Sequence, residues 1–161
     1  MEVAVALGLA TLIVSMLVEV YTLTTRVLAR LDIERAIRDQ GIFAVENIEK
    51  AFREVSESGG KIKDISNDRI TVAKDSLTVT LSLEGEQLRL AVVRPSSENI
   101  MNFPDGGLKC KSLRIKALCG DEYVEGSRAA GLFVRVVLVE FTLEDRSQNV
   151  SKLFKAAFRA N

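Results

Sequence analysis

The 161-residue chain has no histidine and no tryptophan, and it has only two prolines and two cysteines. Without histidine it lacks the usual general base and the commonest metal ligand at neutral pH. Basic and acidic residues balance at 22 each. That is not the basic excess by which nucleic-acid binding is read, so no nucleic acid is directly indicated. Residues 1–60 carry six Lys/Arg against nine Asp/Glu, a net of −3, and the remainder carries +3. The cysteines, Cys110 and Cys119, fall short of the four ligands a structural zinc needs. The segment between them alternates like a strand, which would hold them about 30 Å apart, so two separate thiols are expected. Asp64, Asp68 and Asp75 lack calcium-loop spacing, and Asp121, Glu122 and Glu125 are only a small acidic loop group. No nucleophile elbow or phosphate loop is present. The sequence predicts no metal, no cofactor and no enzymatic centre.

Charge is also missing from the start of the chain. Among the first eighteen residues only Glu2 is charged. Val3 to Val18 span about 24 Å as a helix, and continuing to Leu23 reaches the length that crosses a bilayer. A cleaved signal would need a basic region ahead of the apolar run, and the first basic residue is Arg26. The apolar surface is uniform, which disfavours a buried core helix. A carboxylate at the mouth of such a helix is costly in lipid unless something receives it.

The helical pattern then continues with one apolar face. Val20, Leu23, Val27, Leu31 and Ile37 lead to Val45, Ile48, Phe52 and Val55, with arginines and glutamates between them. Gly41 is the weak point, costing about 1 kcal/mol against alanine. Ser56-Glu57-Ser58-Gly59-Gly60 is a stop signal. The reading is a single helix of about 80 Å, with residues 1–23 transmembrane and 24–58 amphipathic, followed by a β-rich head over 61–161. Leu77, Val79 and Leu81 alternate with polar neighbours. Leu113, Ile115 and Ala117 form another strand, and the doubly apolar run from Gly131 to Leu143, with Leu132, Phe133, Val137 and Phe141, belongs at the centre of a sheet. Phe154, Ala156 and Phe158 mark the last strand. Pro95 to Gly107 and Asp121 to Arg128 read as loops. The fold class is α+β: a long N-terminal helix packed on a C-terminal antiparallel sheet. Its helix–sheet core is Val45, Ile48, Phe52, Leu77, Val79, Leu113, Ile115, Val137 and Phe141.

The order of parts, with Glu2-Val3-Ala4-Val5-Ala6-Leu7-Gly8-Leu9-Ala10 at the start, resembles the type IV pilin-like proteins, both minor pilins and type II secretion pseudopilins. The helix end Gly41 to Glu54 is similar to that of J-class pseudopilins and W-type minor pilins. The close, Phe154 to Asn161, is similar to minor-pilin last strands ending in Arg-Asn. Glu2 falls on the family's assembly glutamate, and Val3, Ala6, Leu7, Gly8, Leu9, Leu12 and Ile13 fall on its filament-core helix. Two features depart from the family pattern. Neither the basic leader ending in Gly nor the aromatic residue after it precedes Glu2, so Met1 reads as an internal methionine. The apolar run also lacks the proline of major pilins, which favours a minor component.

The resemblance implies a single-pass protein of the inner membrane with its head outside the cytoplasm, entering a pilus or pseudopilus. Implied partners are other pilin-like subunits, the inner-membrane assembly platform, membrane lipid, and a prepilin peptidase acting on a full-length precursor. The alternative is a signal-anchored extracytoplasmic binding domain that does not assemble.

Overall fold

The computed structural model describes residues 2–160. Helix α1 runs Glu2–Glu57. The glycine pair after it ends the helix through its last carbonyls: Gly59 N–H donates to Ser56 O at 2.8 Å and Gly60 N–H to Val55 O at 2.9 Å. Gly59 takes φ +83, a conformation in which side chains are strained and glycine is not.

Nine strands follow: β1 Lys61–Ile65, β2 Arg69–Lys74, β3 Leu77–Glu84, β4 Gln87–Arg94, β5 Ser97–Phe103, β6 Lys109–Cys119, β7 Glu122–Glu125, β8 Val134–Asp145 and β9 Val150–Arg159, with a short helix α2 at Gly126–Ala129. They form two antiparallel sheets rather than one. The five-stranded sheet has the order β1-β2-β3-β4-β5 and the four-stranded sheet β7-β6-β8-β9. β8 is interior, as its doubly apolar sequence requires. Two expected loops contain structure. The 95–107 stretch holds β5, whose polar residues are tolerated because it is an edge strand. The 121–128 stretch holds β7 and α2. Cys110 and Cys119 are both free, near and at opposite ends of β6.

The chain divides into two compact units, Met1–Ala36 and Ile37–Asn161. The part of α1 that joins the head therefore begins at Ile37, later than the change of pattern near residue 24. In the second unit α1 packs on both sheets. Phe52 stacks on Phe158 of β9, centroids 4.2 Å apart and planes 8° apart. Phe43 meets Phe103 of β5 edge-on at 5.8 Å. Glu54 takes two 2.9 Å hydrogen bonds from Arg94 of β4. Ile48, Phe52, Val79, Leu113, Ile115, Val137 and Phe141 are buried. Val45 and Leu77, expected in the core, are only half-buried. The helical turn gives the covered position to Ala44, and Leu77 sits where the β2–β3 hairpin closes.

The sheets are tied together by short polar links. The turn Ser66–Asp68 accepts Ile115 N–H of β6 at Asn67 O, 3.2 Å, and Asn67 Oδ1 accepts Ser127 N–H at 3.1 Å. Cys110 N–H donates to Glu86 O at 2.7 Å. The Glu86 carboxylate is paired with Lys109 and, at 2.8 Å, with Arg146. The Lys109 hydrogen bond, foremost, holds that carboxyl below its ordinary value.

Glu140 is a nearly buried charge on the outer face of the four-stranded sheet. Lys116 Nζ lies 2.8 Å from one of its oxygens and Lys155 Nζ 2.9 Å from the other. The hydrogen bond from Lys116, then that from Lys155, lowers its pKa. A carboxyl lowered by folding stabilises the native state above the unfolded value of about 4.3, and the gain is lost as pH falls through the lower folded value. Glu140→Gln is expected to cost about 1–2 kcal/mol at pH 7 and less at pH 2. Urea melts across that range check it, and an equal loss at both pH values would exclude the charge as the cause.

Candidate functional site

The sequence places the functional residues on the first unit's helix, and the structure leaves all of them exposed. Glu2 stands in the first turn of α1 among the described residues. Val3, Ala6, Leu7, Gly8, Leu9, Leu12 and Ile13 are exposed in succession. α1 is long and apolar enough in its N-terminal part to cross a membrane, by length and composition. A methyl group added at Gly8 would meet nothing within 4 Å. With Ala4, Ala6 and Ala10 it offers small surfaces that another helix can approach closely.

The few hydroxyls in this segment bond to their own helix. Thr11 donates to Gly8 O at 2.8 Å or Leu7 O at 3.0 Å, Ser15 to Leu12 O at 2.8 Å, and Thr22 to Val18 O at 2.7 Å. A hydroxyl donating to a carbonyl three or four residues back needs no water, so these polar residues do not oppose an apolar environment.

The apolar stripe read from the sequence separates into two parts. From Ile37 onward Ile37, Ile48, Phe52 and Val55 are buried, whereas Val20, Leu23, Val27 and Leu31 are exposed. The pattern shows which side chains share a face, and only packing shows where that face is covered. Arg30 pairs with Glu34 one turn on, at 3.2 Å and largely in solvent. Such a pair adds a few tenths of a kcal/mol to the helix, about 0.3–0.5.

On the head, no three His, Cys, Asp or Glu side chains come together as a metal site among the described residues. Cys110 is buried, and burial pushes its thiol up to about 11, so it is not a nucleophile at neutral pH. Two exposed apolar pairs stand apart: Ile42–Phe43 on α1, and Leu132–Phe133, expected in the central strand but lying before β8. Their signal was adjacency of two large apolar residues out of step with the surrounding period. Leu132 and Phe133 border a groove of about 480 Å³ between β1 and the 129–134 segment.

Comparison with protein-family models, curated proteins and solved structures finds no match to this chain. The functional reading therefore rests on the residues and their arrangement.

Proposed function

We propose that this protein is a minor pilin or pseudopilin, a non-catalytic subunit of a type IV pilus or type II secretion filament. The supporting observation is α1 itself. One helix carries an acid in its first described turn, continues through a fully exposed apolar segment, and ends as the core element of an α+β head. In this reading residues 3–18 first hold the subunit in the inner membrane, with the head outside the cytoplasm. They then pack against other subunits' helices in a filament. Its partners are other pilin-like subunits and the assembly platform, after a prepilin peptidase has processed the precursor.

Glu2 sets the register. An ionised carboxylate entering an apolar helix bundle is tolerated only when paired, and the amine at a neighbouring subunit's N-terminus is a fitting partner. Glu2→Ala in the full-length precursor is expected to weaken incorporation about a hundredfold, the equivalent of roughly 3 kcal/mol for an apolar site that loses its ion pair. Sheared filaments, or secretion where the machine secretes, give the readout. Undiminished assembly would remove the pairing role. A protein that stays membrane-bound and never enters a filament would be a signal-anchored binding domain instead.

A further inference from the structure

The two sheets end in four edge strands: β1 and β5 in one, β7 and β9 in the other. An edge presents unpaired N–H and C=O groups, and proteins block such edges with bulges, lysines or very short strands. β1 carries Lys61 and Lys63, and its register shifts between Ile62 and Asp64. β7 is the four-residue Glu122–Glu125. β9 carries Lys152, Lys155 and Arg159. β5 has neither bulge nor base. It pairs with β4 from Arg94–Ser97 to Leu88–Phe103 without a shift. Its one charge is Glu98, and Ser97 to Ile100 are exposed on both faces of the strand.

The backbone fixes which groups point outward. The two-residue turn between β4 and β5 is closed by the Arg94–Ser97 pair, and such a turn makes its closing pair hydrogen-bonded. Ser97, Asn99, Met101 and Phe103 therefore bond to β4, and Glu98, Ile100 and Asn102 direct their N–H and C=O groups away from it. On β9, Ala160 N–H following the strand donates to Arg135 O of β8 at 3.0 Å. Ala157 N–H instead reaches Glu49 Oε1 on α1 at 3.4 Å. Ser151, Leu153, Lys155, Ala157 and Arg159 thus face away from β8. Among the described residues, Ala157 N–H is the one outward backbone group of β5 or β9 with a hydrogen-bond partner.

Strand direction selects what can pair there. Phe103 at the end of β5 meets Phe43, and Arg94, across the turn from its start, meets Glu54, so β5 runs against α1. Phe154 lies against Gly41 and Phe158 stacks on Phe52, so β9 runs with α1. Both sheets are antiparallel throughout, which makes β1 run as β5 does and β7 opposite to β9. α1 is one helix, so copies entering one membrane from the same side have helices that run the same way. Between such copies β9 is the only edge among the described residues that offers β5 an antiparallel partner.

We propose that β5 of one copy pairs with β9 of a second copy of this chain, joining the five-stranded sheet of one to the four-stranded sheet of the next. The register sets Glu98 opposite Lys155, Ile100 opposite Leu153 and Asn102 opposite Ser151. It matches outward group to outward group and brings two exposed apolar side chains together on one face. It also stays clear of Ala157, where Glu49 occupies the edge. Glu140 already holds Lys155, so direction and backbone pairing, not charge, choose the partner. The contact joins two different edges and leaves one of each free, so it propagates between subunits of one polarity. It rests on the proposed function, which sets copies side by side with parallel helices.

The test uses the full-length precursor in its membrane, with Cys119→Ser as background and the buried Cys110 left in place. Two differently tagged copies are produced together, one with Ile100→Cys and the other with Leu153→Cys. Oxidation is expected to join the two tags. Ile100→Cys with Ala157→Cys should give no product, because four strand residues, about 13 Å, put that pair beyond the roughly 7 Å a disulfide spans. Equal yields from the two pairs would overturn the register and the strand pairing with it. Ile100→Pro supplies a second arm, read by Asn102→Cys with Ser151→Cys. It removes an outward N–H and leaves the β4–β5 hydrogen bonds in place, so the urea midpoint of the head should hold. The cross-linked yield should fall about tenfold, the scale of one or two lost backbone hydrogen bonds. An unchanged yield would overturn the proposal, as would cross-links of the Ile100→Cys copy only to itself or only to a different protein. Sheared filaments read the proposed function separately. Filaments without the Ile100–Leu153 product overturn the strand pairing and leave that function standing, and loss of both overturns both.

Discussion

Phe52→Ala is expected to lower the stability of the head by about 3–5 kcal/mol, the range for truncating a buried phenylalanine. The ring is fully buried and lies nearly parallel to Phe158, 4.2 Å between centroids. Removing it takes away both the apolar area and the stacking partner of a ring on β9. The space does not refill easily. Ile48 and Val55 are fully buried on the same helix face, and interiors this close-packed relax only in part. A urea melt of the full chain in detergent, followed by β-sheet circular dichroism, gives the number. The midpoint should fall with little change in slope. Helicity before residue 37 should survive, because that unit takes no support from Phe52. A loss below about 1 kcal/mol would mean that the helix does not organise the head.

Gly41→Ala is the second large effect, and its sign opposes helix propensity. In a solvated helix alanine is better than glycine by about 1 kcal/mol. Here a Cβ at position 41 would stand 2.1 Å from Phe154 Cζ, with Cε1 and Cε2 at 2.2 and 2.4 Å. The ring cannot simply retreat, because Phe141 stacks behind it at 5.5 Å. Forcing it out costs about 1–3 kcal/mol, of which the propensity gain offsets about 1, so we expect a net loss near 1 kcal/mol in the same melt. Pairing Gly41→Ala with Phe154→Leu should recover a good part of that loss, since the two residues share one space. A stabilised Gly41→Ala variant would show that Phe154 yields freely.

Gly41 also marks the boundary of what the sequence reveals. As a sequence position it is a flaw in a helix. In the structure it is where a strand's aromatic ring fits against the helix backbone, and its partner lies more than a hundred residues away. The stripe Ile48, Phe52 and Val55 was legible because helical period is a local property, as was the alternation of Leu77, Val79 and Leu81. Whether Val45 or Ala44 takes the covered position depends on the angle at which the helix meets the sheets, and no local pattern carries that angle. β5 was not legible, because an edge strand buries little and its residues need not alternate. The candidate site divides the same way. Glu2 and the apolar run were plain in the chain, while the exposure of Ile42–Phe43 and Leu132–Phe133 appeared only with the packing of the head.

The sequence by itself determined the helix from its apolar run to its glycine stop, the change to β structure after it, and the absence of histidine. These follow from hydrophobic period, backbone freedom and composition, which neighbouring residues set among themselves. The tertiary structure alone decided that the strands form two sheets, that the stripe of α1 is covered only from Ile37, that Glu140 holds two lysines, and which apolar side chains stay in solvent. Those outcomes depend on contacts between residues far apart in the chain, where packing geometry rather than local preference chooses the partner.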